Sequence, residues 1–340
     1  MGGRKIGADM PKMGLKASST ASIQFKNVKV PAGNVLGTPG DGFRLAMMVL
    51  NYGRLGLGAA SIGAMEQSLL DMWKRSGARV QFGQPIRNFQ LIGEKIAKAR
   101  VNADAMRAMN EMAASILSRD PLKETAIETS HCKLFRTTRA WEAVYNALQV
   151  AGGSGYISTQ PYEKRMRDFR VTTIFEGTTE IHSMYPALLG LRRLAKKLKE
   201  LKGAGRTAFI LKEFLSSYKP QAWKADHNDS QVRTAFLLAG ANSQTIRRML
   251  LMSLLLYKEK SAERQYLLRR ITLISLYTYA VLALAAKLAG QETISGMERE
   301  SLGCLIEEAR EIRSRCKRVA DTRMEILESR LLRQLEGELP

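Results

Sequence analysis

From Phe43 to the C-terminus, apolar residues return every three or four positions, the spacing that gathers them on one face of a helix. Leu45, Met48 and Val49, then Ile62, Met65, Leu69, Met72 and Trp73, predict one long helix from Phe43 to about Arg75. Gly77 and the Gln81-Phe82-Gly83-Gln84-Pro85 stretch interrupt it. A second long helix is predicted from about Ile86 to Leu117, ending before Arg119-Asp120-Pro121, and a third from about Lys123 to Ala151. Three long helices with short links imply an antiparallel bundle. Beyond Glu180, a helix carrying Arg192, Arg193, Lys196, Lys197 and Lys199 leads to Gly203-Ala204-Gly205, which is expected to be a hinge between domains. A second helical unit follows, with helices over Ser230 to Glu263, Gln265 to Ala289 and Gly296 to Leu335. Ahead of the turn at Gly37–Gly42, the pattern is different. Ser22–Phe25 and Val28–Pro31 alternate like strands, too few to close a sheet with its own core, so further chain is expected upstream. The chain thus divides into residues 1–38, 39–200 and 205–340.

Composition narrows the class. A hydrophobic share of 45% with 25% charged residues suits a globular chain with a real core. Cys132, Cys304 and Cys316 have neither the pairing nor the spacing of a disulfide framework or a zinc site, and an odd count suits a reducing compartment. His131 and His227 have no metal-ligand neighbours, so no metal is expected, and Met106, Met109 and Met112 read as core. Ile271–Ala286 carries no charge but falls short of the ~20 residues a spanning helix needs, which favours a buried core helix. No apolar segment follows Met1–Lys5, so no secretory signal is expected.

The net charge of +21 implies attraction to something acidic. Residues 191–340 hold 28 basic and 17 acidic side chains and the rest of the chain 25 and 15, so the excess is spread over both halves. With no compact basic tract and only 7% aromatic residues, nucleic acid is the weakest partner. Phosphate-bearing ligands and an anionic membrane surface remain.

Chemistry concentrates in two segments. Ile174–Ile181 contains Glu176 between apolar Ile174 and Phe175 and ahead of Gly177, a setting that would raise a carboxyl pKa towards the range of a working base. Gln149–Tyr156 is rich in glycine, with Gly152, Gly153 and Gly155, and such a turn lets backbone donors approach an anionic group. Each has a bland alternative. The turn could simply terminate a helix, and Glu176 could be a surface carboxylate at a helix N-terminus, where its pKa would fall. Residue types alone do not separate these.

Six separated segments, taken in order, carry a resemblance. They are Lys12–Ser18; Val28–Pro31 with Asn34–Gly37; Gly42-Phe43 followed by Arg54; Arg79–Gly83; Gln149–Tyr156; and Phe175–Thr178. Over about residues 10 to 190 the chain resembles the C-terminal part of an acyl-CoA dehydrogenase, the flavoenzyme family that desaturates acyl-CoA thioesters. The resemblance implies a mainly α fold: the family's C-terminal four-helix bundle over 39–200, preceded by the tail of its middle β-domain over 1–38 and followed by a second helical domain over 205–340. It implies that FAD lies between subunits, with Arg79, Phe82 and Gln81 at the adenosine diphosphate of a neighbouring subunit's cofactor and Gln149, Gly152 and Gly153 along its pyrophosphate. Thr178 and Glu180 fall on the flavin side of the catalytic loop, and Arg54 and Gly177 are assigned to the substrate. Such residues suit these tasks: arginine holds pyrophosphate by charge-assisted bonds, and glycine admits backbone donors.

By the same resemblance Glu176 is the base that removes the α-proton while the β-hydrogen leaves as hydride to flavin N5, the thioester carbonyl being polarised by the Glu176 N–H and a ribityl hydroxyl. Some relatives carry the base on the earlier helix beside the position of Arg54; here that neighbour is Gly53. The resemblance further implies fatty acid β-oxidation with an electron-transfer flavoprotein as acceptor, and assembly as a homodimer or homotetramer. The location would be the cytoplasm or inner-membrane surface of a bacterium, or the matrix side of a mitochondrion. In placement and length the 205–340 unit is similar to the extension of very-long-chain, membrane-associated members, which with the basic charge favours long acyl substrates and an anionic membrane. One departure stands out: His182-Ser183 occupies the place where many relatives have an arginine. A non-catalytic assembly or membrane-surface module, or a half-enzyme needing a separate N-terminal part, are the competing expectations.

Overall fold

The computed structural model describes residues 3–219 and 227–338. The pattern starting at Phe43 becomes α1 (Gly42–Ala78), followed by the two-residue strands β3 (Val80–Gln81) and β4 (Gln84–Pro85), α2 (Gln90–Arg119) and α3 (Ala126–Ala151). Three contacts fix the direction of α1 against α3: Thr129 Oγ1 to Asn51 Oδ1, the Arg136 guanidinium over Gly58, and Arg75 Nη2 to Ser154 Oγ just past α3. The sequence offset stays at 78 or 79 residues across all three, so the two helices run parallel over the whole length of α3. α2 runs back along both of them, tied to α1 by Arg107 Nε to Glu66 Oε1 at 2.6 Å. Alanines 99, 103, 105, 108 and 113 on α2 let the backbones approach, and Met65, Met72, Met106 and Met109 fill the remaining gaps with no exposed surface.

After α3 come α4 (Pro161–Phe169), the single-turn α5 (Thr179–His182) and α6 (Tyr185–Glu200), then α7 (Gly203–Ser216), α8 (Ser230–Tyr257), α9 (Gln265–Ala289), α10 (Gly296–Cys316) and α11 (Arg323–Glu338). Ile271–Ala286 lies in α9, which is packed by α2, α6, α8 and α10. By length and composition α1 and α9 could each cross a membrane, but the interior of α9 is core: Ile271, Ile274, Ala280, Val281 and Ala285 are almost completely buried. Polar links join it to the first bundle. Tyr277 OH donates to Glu308 Oε1 at 2.7 Å, Arg139 Nη2 reaches the same oxygen at 2.5 Å, and His131 Nε2 pairs with Ser275 Oγ at 2.9 Å. His131 is therefore a buried structural residue, and Cys132, Cys304 and Cys316 are all free thiols. Among the described residues no cluster of His, Cys, Asp or Glu could hold a metal.

Several expected boundaries move, each for a local reason. Among the described residues near the N-terminus only β1 (Arg4–Asp9) and β2 (Ala21–Phe25) pair; Val28–Pro31 forms no strand. The third helix starts at Ala126 rather than Lys123, because Asp120 turns the chain by accepting from Leu122 N at 3.1 Å and Lys123 N at 3.0 Å. Gly203-Ala204-Gly205 is the first turn of α7, and the break falls at Leu201–Lys202, where Lys202 is extended. The helix expected from Ser230 to Glu263 ends at Tyr257, with Lys258 at φ +50°. The one expected from Gly296 to Leu335 is two. Buried Arg270 of α9 takes the carbonyls of Arg318 at 3.1 Å, Val319 at 3.3 Å and Ala320 at 3.1 Å, which pulls that stretch out of helix.

Candidate functional site

A 3₁₀ turn at Arg170–Thr173 delivers the chain into a loop that lies across the N-terminal halves of α1 and α3. Glu176 and Gly177 are both left-handed, at φ +58° and +96°. Glycine adopts this conformation freely; for glutamate it is strained by roughly 1–2 kcal/mol and persists only where its surroundings hold it. Three side chains do so through the loop carbonyls. His182 Nε2 donates to Glu176 O at 2.9 Å, Arg54 Nε to the same oxygen at 3.4 Å, and Lys133 Nζ to Gly177 O at 2.6 Å. Since His182 Nε2 faces a carbonyl it carries the proton, so Nδ1 accepts from Ser130 Oγ at 2.7 Å. Burial pushes the His182 pKa down to about 4, which keeps this neutral tautomer. Lys133, with no exposed surface, is pushed down to about 8 by burial first and by the Arg54 charge second.

The Glu176 carboxylate itself stands against α1. A β-carbon on Gly53 would lie 2.8 Å from Oε1 and 3.0 Å from Oε2, so the carboxylate occupies the space that glycine leaves. Oε2 is buried and has no hydrogen-bond partner. Ile174 and Phe175 are themselves exposed, and the wall beside the carboxylate is Gly53. The helix-terminus description fits Glu180 instead. α5 is capped by Thr178, whose Oγ1 accepts from Ile181 N at 3.4 Å, and hydrogen bonds from the Glu180 N–H and the Thr178 hydroxyl lower the Glu180 pKa.

The remaining candidates lie elsewhere. In the β3–β4 hairpin Phe82 and Gly83 sit at φ +50° and +79°, the pair of positive values a two-residue turn demands, and Phe82 is 91% exposed at the tip. Arg79 and Gln81 flank it, both exposed. Gln149, Gly152 and Gly153 are exposed at the end of α3, and a β-carbon on either glycine would meet nothing within 4 Å, so packing does not require them. A β-carbon on Gly155, by contrast, would lie 2.5 Å from Leu148 O. The Arg75–Ser154 bond joins the hairpin end of α1 to this turn. The structure thus gathers Arg54, Glu176, Gly177, Thr178 and Glu180 in one cluster and Arg79, Gln81, Phe82, Gln149, Gly152 and Gly153 in a second. Some twenty residues of helix, about 30 Å at 1.5 Å per residue, separate them along α1. Ser130 and Lys133 escaped the sequence reading, although a lysine within three residues of core Phe135 and Arg136 is a signal of a buried charge with a task.

Residues 40–187 match the model of the acyl-CoA dehydrogenase C-terminal domain. That stretch belongs to the acyl-CoA dehydrogenase family. The very long-chain specific acyl-CoA dehydrogenase of Bos taurus mitochondria is 36% identical over 208 residues, 61% of this chain and 32% of the relative. Butyryl-CoA dehydrogenase of Megasphaera elsdenii, solved as a structure, is 36% identical over 56% of this chain and 49% of that one, with a TM-score of 0.52. An acyl-CoA dehydrogenase from Bacillus anthracis, solved with FAD, covers 98% of this chain and 60% of that chain at a TM-score of 0.78 and 23% identity, so the fold it shares extends through α7–α11. The chain spans less than two thirds of the length of each of these relatives.

Proposed function

We propose that this chain supplies the base and the helical half of the cofactor surface for FAD-dependent α,β-dehydrogenation of acyl-CoA thioesters in fatty acid β-oxidation. The observation that carries the reading is Glu176: a strained residue, braced through its carbonyl, whose carboxylate has a buried, unpartnered oxygen in the space beside Gly53. An unpaired buried acceptor costs about 1–3 kcal/mol, and a family of proton-abstracting enzymes gives it a use. In this reading Glu176 takes the α-proton, and its own backbone N–H helps to hold the developing enolate oxygen. Arg54, held by Asn51 Oδ1 at 3.0 Å, orders the loop from below.

Arg79, Gln81, Phe82, Gln149, Gly152 and Gly153 would hold FAD along one edge, and Thr178 and Glu180 would meet it at the loop. The exposure of Phe82 and the open faces of both glycines suit a dinucleotide. When bound, FAD supplies the hydride acceptor. The ~30 Å between the clusters is read as two half-sites, each completed by another polypeptide, which favours a homodimer or homotetramer. An electron-transfer flavoprotein is the proposed acceptor.

A specific feature also favours an anionic membrane surface and long acyl substrates. A groove of about 740 Å³ between α6, α7 and the end of α8 has an apolar floor that includes Leu188, Leu191, Leu198 and Leu254, under a rim of Arg192, Lys199, Arg206, Lys258 and Lys260, with Glu259 the one acidic side chain among the described lining residues. Leu211 and Leu215 on α7, and Tyr218 just beyond it, are more than half exposed.

The test is anaerobic addition of a long-chain acyl-CoA to the chain with FAD, with Glu176→Gln as control. Bleaching of the flavin that the control loses supports the reading. If FAD is not retained, the family's β-domain is supplied as a second chain. Continued failure, together with binding to anionic vesicles, would leave a membrane-surface module in place of an enzyme.

A further inference from the structure

We propose that Ser130, Lys133 and His182 are positioning residues that clamp the two carbonyls of the Glu176–Gly177 turn and so set where the Glu176 carboxylate stands. The inference rests on Glu176 being the base, and it goes further by saying what keeps that base in place. A left-handed glutamate followed by a left-handed glycine is a conformation the chain leaves unless its peptide planes are fixed from outside. The planes are fixed here by donors to two successive carbonyls, His182 on Glu176 O and Lys133 on Gly177 O, at 2.9 and 2.6 Å. Fixing both carbonyls sets the rotation at Glu176 and Gly177 together, and with it the direction in which the glutamate side chain leaves the loop.

The donors are themselves held. Ser130 and Lys133 lie three residues apart on α3, hence on the same face of the helix, and both are completely buried. Ser130 orients the His182 ring through Nδ1, so the proton is on the nitrogen that faces the loop. His182 lies six residues beyond Glu176, and its ring fills the space over Gly177, where a β-carbon would come 2.7 Å from Nε2. Residue 177 is therefore glycine for two reasons, its positive φ and the histidine above it. His182 is also where this chain departs from the arginine expected after the loop, and the clamp gives the departure a role.

Lys133 adds a charge as well as a bond. Its ammonium interacts with Glu176 and Glu180 on the loop and opposes Arg54 on α1 and His182 on α5, the charged and titratable groups around it. Burial keeps that ammonium easier to discharge than an exposed one.

Hydrogen exchange of residues 174–183, measured on the full chain with FAD, tests the clamp. His182→Leu, which removes the donor, should speed exchange of the loop amides at least tenfold, and His182→Gln, which keeps an N–H, should restore most of the protection. Lys133→Met, which removes the donor to Gly177 O, should speed exchange of the same amides by a comparable factor. Where flavin reduction is measurable, His182→Leu should lower its limiting rate tenfold or more with little change in the acyl-CoA concentration at half-saturation, and His182→Gln should recover it. Unchanged exchange in His182→Leu or in Lys133→Met would overturn the clamp. A chain that never reduces flavin yet shows the exchange effects would defeat the dehydrogenase reading and leave the clamp standing. Flavin reduction that survives His182→Leu at full rate would do the reverse.

Discussion

Gly53 and Glu176 share one space: the carboxylate lies where a β-carbon on residue 53 would be, 2.8 Å from it at Oε1. Gly53 is inside α1, where alanine is the better helix former by up to about 1 kcal/mol. Gly53→Ala should therefore leave the unfolding midpoint unchanged or slightly raised. It should displace the carboxylate by a good part of an ångström and slow α-proton abstraction by roughly ten- to a hundredfold. Thermal melts beside the rate of flavin reduction check the two signs separately, and a parallel fall of both would refute the argument.

Five residues further along α1 the same substitution should have the opposite effect on the fold. A β-carbon on Gly58 would come 2.1 Å from the Arg136 guanidinium carbon, and that side chain has no exposed surface into which it could retreat. Arg136 is fixed by Cys132 O at 2.9 Å and by Asn110, with Nη2 buried and unpartnered. Gly58→Ala should cost about 2–3 kcal/mol, read as a lower urea midpoint at unchanged slope.

The contrast between these two glycines shows where sequence reasoning stops. Long helices were legible because their apolar spacing is local information, and Met106 and Met109 are core as that spacing implies. α4 was not legible: Pro161–Phe169 is mostly charged, and it is supported by the Glu163–Arg167 and Lys164–Asp168 pairs one turn apart. The break between α10 and α11 is imposed by Arg270, some fifty residues earlier. At the loop, Glu176 and Gly177 stood out through their motif. Ser130 and Lys133 did not, because the carbonyls they serve lie more than forty residues away in sequence.

Two buried histidines make the fold sensitive to acid. Burial holds His182 at a pKa of about 4 and His131 at about 3, against an ordinary value of 6.5. Below pH 6.5 the unfolded chain binds these protons and the folded chain does not, so stability rises with pH across the window from 4 to 6.5 and is lost on acidification. For His182 alone the loss between pH 6.5 and 4 is about 3 kcal/mol. His182→Gln should flatten that part of the stability profile, as measured by urea midpoints at pH 7 and pH 4.5. An unchanged slope would mean that the ring is accessible to protons in the folded state.

Arg270 and Glu325 form an ion pair that is buried on both sides, joining α9 to the start of α11. Arg270 also binds three carbonyls of the link between α10 and α11, so its removal leaves a buried carboxylate and at least three acceptors unserved. Arg270→Met should cost about 3–5 kcal/mol and free α11 first, seen as rapid hydrogen exchange over residues 318–335 before the rest of the chain opens. Arg270→Met with Glu325→Leu should recover a large part of that loss, since no charge is then left buried. Failure of the double variant to recover would mean that the carbonyl cap, and not the ion pair, secures the joint.

Phe82 offers the cleanest separation of fold from function. Its side chain is 91% exposed at a hairpin tip, with one edge contact to Phe89 at a ring separation of 6.1 Å, so its removal takes little from the core. Its backbone is left-handed, which a substituent smaller than phenylalanine does not worsen and glycine relieves. Phe82→Gly should therefore keep the melting temperature within a degree or two, while FAD retention falls at least tenfold if the ring covers the adenine of a neighbouring subunit's cofactor. Arg79→Gln should weaken the same binding and make what remains less sensitive to salt, because a charge facing pyrophosphate is then missing. Equal FAD affinity in both variants would remove the hairpin from the cofactor site, and its exposed phenylalanine would then need a protein partner to explain it.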